Sequence, residues 1–465
     1  MRRGVVPGDR VAVQVDKSVD AVLLYVACLR MGAVFVPLNA GYTPTEVEYA
    51  WRDSQPRIAV IRPADRALLG PHALQSGVPL ESLGAGGEGT LPALVRQSGE
   101  EPEVPRAGAA NSLAAIVYTS GTTGRAKGAM LSRANLACNA VALAQAWHFT
   151  NRDVLLHVLP LDHVHGLCAA VNTVLASGSS LLLLGKFDSA SVLKHLRQVT
   201  VFMGVPTHYT RLLQQRGLNR EIAAGVRLFV SGSAPLRAQT YHEFLERTGH
   251  AIVERYGMSE TLMIASNPYD GVCKPGSVGV PLPQMAVRVV HSSSVALKLK
   301  TGFTGALEVS GPSVFAGYWR DPEKTRSEFT ADGWFKTGDL GCIDRDGYLY
   351  IVGRAKDLVI SGGYNVYPKE VEMELDALEG VVESAVFGVP HPDFGEGVTA
   401  AVVSQRGTRL SEGGIISALK KHLAGYKVPK RVLIIDELPK NSMGKVQKNV
   451  LRACYAALYA ARMAP

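Results

Sequence analysis

The feature that most restricts the fold of this chain is a repeated switch between short apolar runs and helical spacing. From Val19 to Leu29, apolar residues Val19, Val22, Leu23, Val26 and Leu29 recur on one helix face, and the stretch GAVFVPLN that follows reads as a strand. The same step returns where LAAIVYTSG precedes RANLACNAVALAQAW, where VLLHVLPL precedes HGLCAAVNTVLA, and where VTVFMGVPT precedes HYTRLLQQ. VRLFVSGSAPL and HAIVERYG add two more strand ends, the latter leaving its strand after Val253 and setting Arg255 at the exit. Such alternation predicts an α/β protein with parallel sheets flanked by helices and ligands at the carboxyl ends of the strands.

After about residue 275 the pattern becomes short β-rich pieces with frequent Gly and Pro, read as hairpins and turns. From Lys356 it becomes a compact α+β unit with strands SAVFGVP, TAAVVSQ and RVLIID, a helix around IISALKKHL and a last helix from Val450. The expected organisation is a large domain over 1–354, its β-rich subdomain over about 275–354, and a small domain over 355–465.

A net charge of +8 suits polyanionic small molecules as well as an ordinary solvated surface, and nothing in the pattern points to a nucleic-acid partner. The six cysteines are dispersed with no CxxC pair, which predicts a reducing compartment. No apolar stretch reaches the ~18 residues of a membrane span. The expectation is a cytoplasmic protein, or an organelle-matrix one if a presequence precedes this chain; its oligomeric state is open.

YTSGTTGRAKG, Tyr118 to Gly128, leaves a strand and precedes a helix. Gly121, Gly124 and Gly128 permit tight turns, Thr119, Ser120, Thr122 and Thr123 supply hydroxyls, and Lys127 supplies charge, a composition that wraps a polyphosphate. It is not a Walker A loop, because Gly128 rather than Ser or Thr follows Lys127.

This string resembles the signature of the adenylate-forming superfamily, which includes acyl-CoA synthetases. SGSAPL at 231–236, YGMSE at 256–260, TGD at 337–339, GRAKD at 353–357 and PKNSMGK at 439–445 follow in that family's order. The resemblance implies a ligase that joins a carboxylate to the α-phosphate of ATP and then passes the acyl group to CoA. It implies nucleotide contacts from the phosphate loop, from Ser233, Ala234 and Pro235, and from Tyr256 and Gly257. Asp339 would bind the ribose with Arg354 assisting, or the two would form a surface ion pair. Glu260 would hold Mg²⁺, or pair with Arg255. Lys445 would reach the reacting carboxylate and the α-phosphate. Lys356 would be the hinge, and Gly362 and Gly363 would face the pantetheine tunnel of CoA.

The acid is addressed by two departures from an apolar pocket. In PLDHVHGL, His163 falls at a gate position and His165 at a pocket wall, while Arg255 stands where many relatives carry a small residue. With Cys168 the two histidines could be zinc ligands, but no fourth ligand lies at typical spacing. A buried arginine needs an anion. Either Glu254 or Glu260 supplies it, or it arrives with the substrate as the second carboxylate of a short diacid. ERYGMSET, VPHPDFGEGVTA and MGKVQKNVLR are similar to the malonyl-CoA synthetases. That resemblance implies that His165 and Arg255 bind the distal carboxylate and that Thr207 and Met263 limit substituents on the α-carbon, with malonate or methylmalonate as the acid. Another short- or medium-chain acyl-CoA synthetase, or a non-catalytic adenylate-binding relative, is the alternative.

Overall fold

The computed structural model describes residues 3–97, 108–119, 126–291, 301–405, 407–441 and 444–460. The loop residues Ser120, Gly121, Thr122, Thr123 and Gly124 lie outside the described residues. The chain divides into two compact units, Met1–Val287 with Val309–Phe335, and Arg288–Glu308 with Lys336–Pro465.

The first unit contains two sheets. One runs Leu80–Ser82, Ile58–Ile61, Arg10–Gln14, Val34–Pro37, Leu113–Thr119 and Lys127–Ser132, parallel except for the antiparallel last pair. Strands such as VFVP and IAVI are buried at every position, so their apolar runs do not alternate. The second runs Val280–Pro281, Leu262–Ser266, Ile252–Met258, Leu228–Ser231, Val201–Gly204, Val154–His157 and Ser180–Leu183. Its last five strands are parallel, and its first two join antiparallel. Beneath it Phe202, Tyr209, Phe229 and Phe244 meet edge to face at 4.9–5.7 Å, within a cluster that buries all four. Such pairs add to the area they bury because each positive ring edge meets a negative face.

Three expectations need correction. The segment Tyr118–Gly128 is not followed directly by a helix but leads into the strand Lys127–Ser132, which pairs antiparallel with Leu113–Thr119. Arg255 is not at a strand exit: its strand continues to Met258, because Leu262–Ser266 folds back and pairs with it, Arg255 opposite Ser266. The segment after His163 begins not as a regular helix but as a π-helical stretch, His165–Val171, which leads into the α-helix Asn172–Ser177. There the Ala169 amide donates to Val164 O, five residues back. The wider turn suits a chain that must present a side chain away from the ordinary helix face.

The hairpin Leu113–Thr119 and Lys127–Ser132 is anchored by the helix that follows, Arg133–Ala146. Ser132 and Asn135 form a reciprocal cap, and the Asn135 amide also donates to the carbonyls of Pro312 and Val314. One side chain thus ends the strand, starts the helix and holds a distant loop.

In the second unit a four-stranded sheet runs Ala286–Val290, Gly305–Ser310, Phe335–Ile343 and Leu349–Arg354. A second sheet, Tyr364–Val366, Val359–Ser361, Gly395–Ser404 and Val381–His391 with Arg431–Ile435 beside Gly395–Ser404, is covered by Pro368–Asp376 and Glu412–Leu419. The last helix is Lys448–Cys454. The pair Phe335–Ile343 and Leu349–Arg354 carries a register shift at Leu340/Gly341 that leaves Val352 as the extra residue. Gly341 is required there, since a Cβ would stand 2.4 Å from Tyr350 O. Among the described residues, no helix is long and apolar enough to cross a membrane.

Gly166, beside His165, has no room for a side chain, since a Cβ would stand 1.9 Å from Pro160 O. Gly166→Ala is expected to destabilise the protein by about 1–3 kcal/mol, as overpacking against backbone does, measured as a lowered urea midpoint with an unchanged m-value.

Candidate active site

Arg255 is 3% exposed and His165 is fully buried. Gly232 follows the neighbouring strand Leu228–Ser231, and the guanidinium lies against it: a Cβ there would be 2.4 Å from Arg255 Nε. Ser233 follows in a left-handed conformation, φ +71. Its Oγ lies 3.1 Å from His165 Nδ1 and 3.5 Å from Arg255 Nη2. Arg255 Nε and His165 Nε2 are buried with no hydrogen-bond partner among the described residues.

Neither neighbouring carboxylate supplies the counter-charge. Glu254 turns back to accept from the Leu236 amide at 3.1 Å, and Glu260 accepts from the Tyr318 hydroxyl at 2.9 Å. Burial alone lowers Arg255 to about 9, so it stays charged at neutral pH. Burial and then Arg255 hold His165 well below its ordinary value, so it is neutral. The pocket therefore presents one fixed positive charge and a neutral imidazole.

His163 Nδ1 accepts from the His165 amide at 3.3 Å. Thr207 is half-buried at the start of the helix Pro206–Leu213, and Met263 is fully buried opposite Gly257, its carbonyl accepting from Asn139. Ala234 and Pro235 complete the turn after Ser233, Pro235 exposed; Tyr256 and Gly257 continue the strand of Arg255 and are half-buried.

A second group lies in the same unit. Glu260 is buried, its backbone carbonyl accepting from Phe315. The ammonium of Lys127 sits 5.6 Å from the centre of the Tyr318 ring, whose hydroxyl binds Glu260. Burial, then the Glu260 charge, push the Tyr318 phenol far above its ordinary value, so it serves as donor. Thr119 faces Lys127 across the hairpin at the two ends of the phosphate loop.

The second unit assembles its own group. Asp339 and Arg354 are direct cross-strand partners, with Nε to Oδ1 at 2.7 Å and Asp339 nearly buried. Thr337 Oγ accepts from the Asp339 amide and donates to Leu307 O. Lys445 closes a small loop in which its amide donates to Asn441 Oδ1, and Lys440 bridges to Val446. The protein around the Lys445 ammonium, then Arg354, lowers it to about 8, with Asp339 acting the other way; the residue keeps an exposed surface. Lys356 lies in the short turn Ala355–Asp357. Gly362 and Gly363, φ +59 and +81, form the two-residue turn between Val359–Ser361 and Tyr364–Val366. Both central residues at positive φ make this a type I′ hairpin, which favours glycine.

Sequence reasoning missed Gly232 as the platform for Arg255, the bridging hydroxyl of Ser233, and Tyr318 as the partner of Glu260. Tyr318 is 58 residues from Glu260, so no local spacing signals it.

Two helix-flanked, largely parallel sheets followed by a smaller α+β unit form the architecture of adenylate-forming ligases. Residues 1–319 match the AMP-binding enzyme family and 370–445 match the AMP-binding enzyme C-terminal domain, and the chain belongs to this family. It is 37% identical to the mitochondrial malonate–CoA ligase of Mus musculus, over 95% of this chain and 81% of that protein. It is 36% identical to a feruloyl-CoA synthase of Amycolatopsis sp, over 97% and 89% of the two chains. The ATP-bound MatB of Rhodopseudomonas palustris matches with a TM-score of 0.96 and 51% identity, over 98% of this chain and 91% of that one.

The buried histidines contribute to the acid response. His157 and His208 are lowered to about 3, chiefly by burial, and His165 is lowered too. Their folded values lie below the unfolded ones, so as pH falls below about 6.5 the unfolded state takes up protons that the folded state refuses. The contribution of His157 and His208 is fully present above about pH 6.5 and is lost toward pH 3, by about 1.4 kcal/mol per pH unit for each, and His165 acts in the same direction. Urea unfolding at pH 7.5, 6 and 5 should show this decline, and His157→Gln should reduce its slope by about one proton.

Proposed function

We infer that this chain is an ATP-dependent, AMP-forming acid–CoA ligase whose acid is malonate. The observation that carries the reading is the buried Arg255 charge, which has an unpartnered Nε among the described residues and lies beside the unpartnered Nε2 of a neutral His165. An isolated buried charge is strongly unfavourable. A short diacid resolves it by bringing one carboxylate to the guanidinium and leaving the other to react. A monocarboxylic acid would leave the guanidinium desolvated and unsatisfied.

On this reading Lys127 and the phosphate loop hold the triphosphate, Ser233, Ala234, Pro235, Tyr256 and Gly257 border the nucleotide, and the Asp339–Arg354 pair receives the ribose hydroxyls. Glu260 fits a Mg²⁺ site, since it is a hard oxygen donor whose Oε1 is oriented by Tyr318. When bound, that ion would neutralise charge on the phosphates. A carboxylate oxygen of malonate forms a bond to the α-phosphorus, and the bond from that phosphorus to the bridging oxygen breaks, releasing pyrophosphate. Lys445 stabilises the charge that develops on the α-phosphate and the reacting carboxylate. The CoA sulfur, as thiolate, then attacks the acyl carbonyl, and AMP leaves with the electron pair of the acyl C–O bond.

We assign His163 to gating the acyl pocket, and Thr207 and Met263 to limiting bulk at the α-carbon. The mobile part is 355–465, turning at Lys356 so that Lys445 serves the first step and the Gly362–Gly363 turn faces pantetheine in the second. Methylmalonate is the acid to compare, since it differs only at the α-carbon.

Arg255→Ala leaves the distal carboxylate without its partner, and breaking a buried pair costs about 3–5 kcal/mol. Malonate-dependent AMP formation, as kcat/KM, should fall at least about 100-fold; unchanged malonate turnover would rule out the diacid reading. Lys445→Ala should abolish malonate-dependent ATP–pyrophosphate exchange while leaving ATP binding, measured by calorimetry, within about a factor of three.

A further inference from the structure

We propose that Ser233 is a positioning residue that fixes His165 as the tautomer with its proton on Nε2, so that the imidazole meets the acid as a hydrogen-bond donor. The proposal rests on the reading above that Arg255 and His165 receive the distal carboxylate.

The argument is an accounting of protons. Ser233 Oγ lies 3.1 Å from His165 Nδ1 and 3.5 Å from Arg255 Nη2. A guanidinium only donates, so the hydroxyl turns a lone pair to Arg255; among the described residues His165 Nδ1 is the acceptor within reach of its proton, and the proposal is that the proton goes there. Nδ1 is then the acceptor, and in a neutral imidazole the remaining proton lies on Nε2. That nitrogen is buried and unpartnered among the described residues, as is Arg255 Nε. With Nδ1 protonated instead, Nε2 would turn a bare lone pair toward the incoming carboxylate, two acceptors facing each other in a dry pocket. The neutral state of His165, imposed by burial and by Arg255, makes the choice of tautomer decisive, since an imidazolium would donate from both nitrogens.

The backbone is consistent with a specific task for this side chain. Ser233 adopts φ +71, which residues other than glycine seldom occupy. Gly232 before it leaves the space in which the guanidinium lies. The conformation aims the hydroxyl at the two nitrogens it joins. The serine thus converts a fixed positive charge on one strand into a directional donor on another segment.

Two variants separate hydroxyl from backbone. Ser233→Ala removes the hydroxyl at unchanged φ, and Ser233→Gly removes it while suiting φ. Both should raise KM for malonate about ten-fold or more, the loss of one hydrogen bond to a charged group, and by a larger factor than any rise in KM for ATP. Nitrogen-15 NMR of histidine-labelled protein, with the His165 signal assigned through His165→Gln, should show Nε2 protonated in the parent and the proton shifted toward Nδ1 in Ser233→Ala. A parent His165 protonated on Nδ1, or malonate KM unchanged in both variants while Arg255→Ala is impaired, would overturn the positioning role and leave the diacid reading standing. Recovery in Ser233→Gly alone would overturn it too, by tracing the effect to backbone strain. A parent enzyme indifferent to malonate would remove the diacid reading itself.

Discussion

One buried positive charge sets the terms for its surroundings. Arg255 stands in a strand paired on both sides, with Leu228–Ser231 on one edge and Leu262–Ser266 on the other, so it cannot leave for solvent without breaking the sheet. Its neighbours concede to it: Gly232 gives up a side chain, Ser233 takes an unfavourable backbone conformation, and His165 remains neutral. Glu254 and Glu260, either of which could have neutralised it, are committed to Leu236 and Tyr318. A protein selected for stability alone would close that circuit internally. Among the described residues that circuit stays open at Arg255 Nε.

The two compact units divide the chemistry. The first combines the pocket of Arg255 and His165 with Glu260, Tyr318 and Lys127; the second brings Asp339, Arg354 and Lys445 into mutual electrostatic reach. Each group is organised by short-range contacts within its own unit, so neither needs the other to be formed.

Much of the fold was legible because its central strands are short apolar runs next to helical spacing, and those signals are local. VFVP and LFVS declare themselves as fully buried strands. The continuation of Ile252–Met258 beyond Arg255 was not legible, because a charged and polar stretch becomes a strand only through its pairing with Leu262–Ser266. The same holds for the inclusion of Arg288–Glu308 in the second unit, which depends on sheet contacts with residues dozens of positions later. At the site, residue types marked Arg255, Glu260 and Lys445 as candidates, but not the residues that contact them. Tyr318 and Gly232 act through contacts that leave no pattern in neighbouring residues.

The register shift beside Asp339 and Arg354 has a consequence for how this hairpin can vary. The pair lies on one side of the irregularity, and Cys342, Ile343 and the turn near Asp344 lie on the other. With Val352 as slack and Gly341 as the close-packed pivot, the far end of the ribbon follows its own twist. The distal turn lies beyond that irregularity from the carboxylate–guanidinium pair, which makes it a place where sequence can drift or a foreign segment be grafted with little effect on the geometry of the pair.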